Sequence, residues 1–127
     1  MTKKEIIQFF VTQSENHRNT ARDFYSSKHY DWCLFVWHLA IEKLLKAKLL
    51  SSGKEIIYTH NLSKLYLRTK LPSTKEIINQ LDEITSFNLE ARYDDYKFAF
   101  YNKATKTYAL HWIAICEELY MSISTTL

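Results

Sequence analysis

The side chains that could do chemistry in this chain are five histidines, at positions 17, 29, 38, 60 and 111, two cysteines, Cys33 and Cys116, and two short clusters of mixed charge. Histidine is the natural first suspect, because imidazole alone exchanges a proton near neutral pH without any perturbation and is the commonest metal ligand. No two of the five stand in an HxxxH or ExxH relation, so neither a zinc site nor a di-iron helical bundle is expected, and no metal or other cofactor is implied. The cysteines lack a CxxC partner and a histidine at motif spacing, and both sit in apolar helical settings. They read as buried, reduced thiols of a cytoplasmic protein. A single glycine, Gly53, forbids a phosphate-cradling Walker loop and a dinucleotide fingerprint.

The first charged cluster is Trp37-His38-Leu39-Ala40-Ile41-Glu42-Lys43-Leu44-Leu45-Lys46-Ala47, where Glu42 precedes Lys46 by one helical turn, the favourable order for an ion pair. Its plainest reading is a solvated edge on an otherwise buried helix. The second is Phe87-Asn88-Leu89-Glu90-Ala91-Arg92-Tyr93-Asp94-Asp95-Tyr96-Lys97. A guanidinium offers a planar fork to phosphate and a phenol offers a flat face to a base, so this cluster could hold a nucleotide. Arg and Tyr are also enriched at interface centres, and a wet dimer seam fits the same residues.

These clusters must be positioned by helices. The chain has 127 residues and 19 aromatics (nine Tyr, seven Phe, three Trp) but one Gly and one Pro, too few turn formers for a β sandwich or barrel. Thr2-Lys3-Lys4-Glu5 has capping-box spacing and opens a first helix to about Tyr25. Asp31 can cap a second, whose apolar residues from Trp32 to Leu49 cover most of its circumference and make it central; Gly53 reads as its stop. Asn61–Lys70 is a short third helix, and Ser73-Thr74-Lys75-Glu76 is a second capping box opening a fourth to about Glu90. Ala91–Tyr101 has no clean period, and a last helix runs from about Asn102 to Met121. The expectation is one all-α domain, residues 1–127, an antiparallel up-and-down bundle of four long helices plus one short helix. Trp32 and Trp112 are expected in its core, where truncation removes several kcal/mol. The aromatics between Phe87 and Tyr101 form a separate group that no period explains. The net charge of +3 is dispersed, which allows nucleic acid without indicating it. Uncharged runs reach only ten residues and the N-terminus has no apolar signal core, so neither a membrane span nor export is expected.

Three segments in order resemble the HEPN family of small prokaryotic helical domains. The family's (A)xEKxxKAxL segment is matched by Ala40-Ile41-Glu42-Lys43-Leu44-Leu45-Lys46-Ala47-Lys48-Leu49, its Thr-His-(Asn/Asp)-Leu turn by Thr59-His60-Asn61-Leu62, and its (I)EARYxDY segment by Leu89-Glu90-Ala91-Arg92-Tyr93-Asp94-Asp95-Tyr96. The resemblance implies a helical bundle, usually a homodimer, with nucleotide or RNA as ligand and a minimal nucleotidyltransferase as partner in toxin–antitoxin pairs. Catalytic members are metal-independent ribonucleases with an Arg, four to six intervening residues and a His. After Arg92 those positions hold Lys97, Phe98 and Ala99. The function implied is therefore a non-catalytic nucleotide-, RNA- or partner-binding homodimer using Arg92, Tyr93, Asp94, Asp95, Tyr96, Glu42 and Lys46. The alternative is a ribonuclease that pairs Arg92 with a histidine from elsewhere, such as His60 or His29, or across a dimer. Arg22 and His29 satisfy the spacing literally but lie far upstream of the family's position. His60 is expected to fix its turn through a backbone bond, and His38 and His111 to sit in the core or a seam.

Overall fold

The computed structural model describes residues 1–93 and 98–127. Six helices account for the described fold: α1 (Lys3–Ser26), α2 (Tyr30–Ser51), α3 (Leu62–Arg68), α4 (Lys75–Arg92), α5 (Ala99–Lys103) and α6 (Lys106–Ser124). The expected all-α bundle is present, with a second short helix, α5, where sequence periodicity had failed.

Helix starts follow the side-chain chemistry of their caps. The hydroxyls of Thr2, Thr74 and Thr105 and the amide oxygen of Asn61 each accept the backbone N–H three residues on, at 3.1–3.2 Å, satisfying donors that have no partner inside the helix. The cap of α4 is Thr74, one residue later than the expected box. At α2 the cap position is His29, without a side-chain bond, and Asp31 lies inside the first turn, where a carboxylate favours the positive end of the helix dipole.

The second helix is the hub. It buries Leu34, Trp37, Ile41, Leu44, Leu45 and Leu49, and α1, α3, α4 and α6 all pack on it. A helix apolar on every side has to be enclosed by others, which is what the composition of α2 demands. With only residues 27–29 between them, α1 and α2 lie side by side in antiparallel sense. Gly53 ends the hub at φ +78° with open space where a Cβ would stand. Gly53→Ala therefore introduces backbone strain without a clash, and we expect about 1 kcal/mol of destabilisation in urea unfolding. No change would mean that the turn relaxes to negative φ.

The aromatics depart from expectation in an instructive way. Trp37, not Trp32, is the fully buried tryptophan; Trp32 is 41% exposed, and Trp112 is half-buried. Because α4 runs to Arg92, Ile84, Phe87 and Ala91 share its inner face. The Phe87 ring centre lies 5.8 Å from that of Phe100, 6.2 Å from Tyr108 and 5.9 Å from Trp112, so Phe87 and Phe100, two members of the supposed surface group, are core. Tyr93, Phe98 and Tyr101 remain exposed. The last helix continues past Met121 to Ser124. Cys33 and Cys116 are buried and unbridged, and burial pushes the Cys33 thiol up to about 12.

Candidate functional site

Three polar residues follow one another at four-residue steps along α2: His38, Glu42 and Lys46. They are 0%, 1% and 8% exposed, so the cluster is not a solvated edge. Polar groups that deep have to be bonded, and each of these is. Lys46 Nζ donates to Glu42 Oε2 at 3.0 Å. The other carboxylate oxygen, Oε1, accepts from His60 Nδ1 at 2.8 Å.

His60 reaches Glu42 because its turn is built to hold it there. Thr59 Oγ1 accepts the Asn61 N–H, Asn61 caps α3, and the Leu62 N–H is taken by Thr85 Oγ1 of α4 at 3.0 Å, while the Leu62 side chain is buried. The His60 ring bonds Glu42 rather than a backbone group, which revises the role expected of it. Its backbone carbonyl does serve the fold, accepting from His38 Nε2 at 2.9 Å. The other ring nitrogen, His38 Nδ1, accepts from Asn88 Nδ2 of α4 at 3.3 Å. One turn further along α4, Arg92 donates through Nη2 to Asn88 Oδ1 at 2.7 Å and through Nε to the Asn88 carbonyl at 3.2 Å. Its guanidinium lies 5.1 Å from the centre of the exposed Tyr93 ring.

The result is one continuous chain, Lys46–Glu42–His60–His38–Asn88–Arg92, that joins the three sequence segments through the core and emerges at His60 and Arg92. His38, expected only as a core or seam histidine, and Asn88, not singled out by the sequence, complete it. Their signal was the four-residue step before Glu42 and before Arg92, invisible until both helices are known to face each other. Burial, strengthened by the neighbouring Arg92 charge, lowers the His38 pKa against the opposing pull of its bond to the His60 carbonyl and of Glu42. The ring is neutral. Burial alone would raise the Glu42 carboxyl, but the bonds from His60 and Lys46 hold it below its ordinary value.

The remaining candidates lie elsewhere. Arg22 pairs with Glu117 of α6 at 3.0 Å, and His29 packs its ring edge on Phe24, so the literal Arg-x6-His spacing gathers no site. His111 is exposed beside Trp112. Asp94, Asp95 and Tyr96 lie outside the described residues. Among the described residues no three His, Cys, Asp or Glu side chains gather as a metal-ligating group, and both His38 nitrogens are already engaged. No described helix is long and apolar enough to cross a membrane.

No curated protein matches the chain. The crystal structure of TT1696 from Thermus thermophilus superimposes with a TM-score of 0.81 over 95% of this chain and 98% of that one, at 17% identity, which establishes a shared fold. The HEPN domain family matches residues 7–125, nearly the whole chain and all three segments that the polar chain connects. The protein belongs to the HEPN domain family.

Proposed function

We propose that the chain is a non-catalytic binding module for a nucleotide or single-stranded RNA, acting as a homodimer alongside a minimal nucleotidyltransferase in a toxin–antitoxin system. The observation that carries the ligand is the Arg92–Tyr93 pair: a guanidinium held by two bonds to Asn88 beside an exposed aromatic face. Arginine has five donors, and among the described residues two are engaged, which leaves donors for phosphate oxygens, while the Tyr93 ring supplies a stacking surface for a base. Exposed Leu89, Phe98 and Tyr101 near the same end of α4 and α5 give a second copy or a partner protein apolar area to cover. Residues Asp94, Asp95 and Tyr96 belong to this proposed surface by sequence.

The test is fluorescence anisotropy with a labelled single-stranded RNA of about 12 nucleotides, within the length such surfaces engage. Arg92→Ala is expected to weaken binding and to reduce the slope of log affinity against log salt by about 1, and Tyr93→Ala to weaken binding by about 1–3 kcal/mol with little change in slope. Unchanged binding by both variants defeats the assignment. Light scattering on the same preparation tests the dimer.

A second reading is favoured by one contact. With its Nδ1–H given to the buried Glu42 carboxylate, His60 presents Nε2 as a proton acceptor on a side chain that is 61% exposed. A 2′-hydroxyl could lose its proton to Nε2 and attack the adjacent phosphorus, with Arg92 countering the charge and the 5′-oxygen leaving. Cleavage of the same RNA without metal, abolished by His60→Ala and by Arg92→Ala, would install this reading over the non-catalytic one.

A further inference from the structure

We infer that His38 is a positioning residue, which registers the place of the Thr59–Leu62 turn and, through the Asn88 amide, sets the direction of the Arg92 guanidinium. The inference rests on the reading of Arg92 as a phosphate-binding group, and it concerns two residues that touch no ligand.

The argument is one of donors and acceptors. A neutral imidazole has one of each. The His60 carbonyl oxygen can only accept, so the nitrogen facing it, Nε2, carries the hydrogen. Nδ1 is then a lone pair and can only accept, so the Asn88 atom facing it is the NH2 group. The amide oxygen must point the opposite way, and there it meets Arg92 Nη2 at 2.7 Å. One backbone carbonyl thus fixes a ring tautomer, the tautomer fixes an amide orientation, and the amide orientation fixes a guanidinium. His38 and Asn88 are buried, so water cannot readily take the place of either partner.

The links span large separations in the chain, from position 60 to 38 and from 38 to 88, and no backbone ladder connects them. His60 is bound twice, by its carbonyl to His38 and by its ring to Glu42. A shift of the turn would therefore reach Arg92 through two side chains. Arg92 keeps its bond to the Asn88 backbone carbonyl in any amide orientation, so it is the Nη2 anchor alone that depends on His38.

Three variants test the relay: His38→Leu, which removes donor and acceptor; His38→Gln, which keeps one of each; and Asn88→Leu, which removes the amide. The first readout is the ¹H–¹⁵N spectrum of the free protein. The wild type should show a neutral His38 protonated at Nε2 and resolved Arg92 guanidinium N–H signals. Those guanidinium signals should broaden or vanish in His38→Leu and Asn88→Leu and return in His38→Gln. The second is the salt slope of binding to the same labelled RNA, which should fall by about 1 in the two Leu variants, as for Arg92→Ala, and recover in His38→Gln. Thermal melts of the three separate loss of fold from loss of aim, because a structural defect shared by Leu and Gln would lower both melting temperatures without restoring the Arg92 signals in one. Arg92 signals indifferent to His38→Leu, a His38 ring protonated at Nδ1, or a Gln variant that behaves as Leu overturns the relay. If the wild type binds no RNA, the proposed function falls while the spectrum still decides the relay.

Discussion

Trp37→Ala is expected to lower the free energy of unfolding by about 3–5 kcal/mol, the range for truncating a large aromatic in a packed core, whereas Trp32→Ala should remain within about 1 kcal/mol. Trp37 is fully buried, at 0% exposed, with its ring centre 6.2 Å from that of Tyr120 of α6 in an edge-to-face arrangement. Removing the indole leaves a void on the hub helix, where close packing prevents collapse from recovering the lost contacts. Trp32 meets Phe35 at 5.8 Å on a face that is already partly wet, and its loss opens no cavity. Urea unfolding of both variants with an unchanged m-value is the measurement. The reverse order of the two effects would mean that α2 is rotated about its axis relative to this arrangement.

The two tryptophans also show where sequence stops being legible. Periodicity finds an inner face only when a helix has an outer one, and α2 is apolar nearly all round. The hydrophobic pattern therefore established that α2 is central without saying which tryptophan faces inward. Helix starts at Thr2 and Asn61 and the stop at Gly53 were legible because a cap is a local contest between one side chain and one backbone group. The fourth helix was expected to about Glu90 and ends at Arg92, and Phe87, although inside it, was grouped with the aromatics that follow and so misplaced from core to surface. At the site, Glu42, Lys46 and Arg92 could be singled out by type and spacing, and His60 by the family resemblance of its turn. That they join could not, because the joints are His38 and Asn88, whose partners lie 22 and 50 residues away.

The other large effect is expected at Glu42. Glu42→Ala leaves the Lys46 ammonium buried with no counter-charge and the His60 ring with no acceptor, and breaking a buried pair from one side is destabilising by about 3–5 kcal/mol. The carboxyl is held below its ordinary pKa, so the native state binds that proton less readily than the unfolded chain. Its contribution is present above the unfolded value near pH 4.3 and is lost as pH falls through the native one. His38 is also depressed, so its contribution is full above about pH 6.5 and declines as pH falls toward its native value. Wild-type stability should therefore fall in two stages on acidification, first with His38 and the likewise depressed His17, then with Glu42 and the likewise depressed Glu117. The alanine variant begins lower, retains the histidine stage and shows a smaller second one, because Glu117, which burial alone would raise but Arg18 and Arg22 hold low, still titrates there. Because Glu42 also raises the His38 pKa, the histidine stage should extend to lower pH in the variant. Urea unfolding of both proteins between about pH 8 and pH 2 covers both stages, the second lying below the unfolded carboxyl value near pH 4.3. Parallel curves below about pH 4, or a loss under about 1 kcal/mol at neutral pH, would mean that Lys46 and His60 find other partners, and that the polar chain is assembled from Arg92 inward without needing its buried carboxylate.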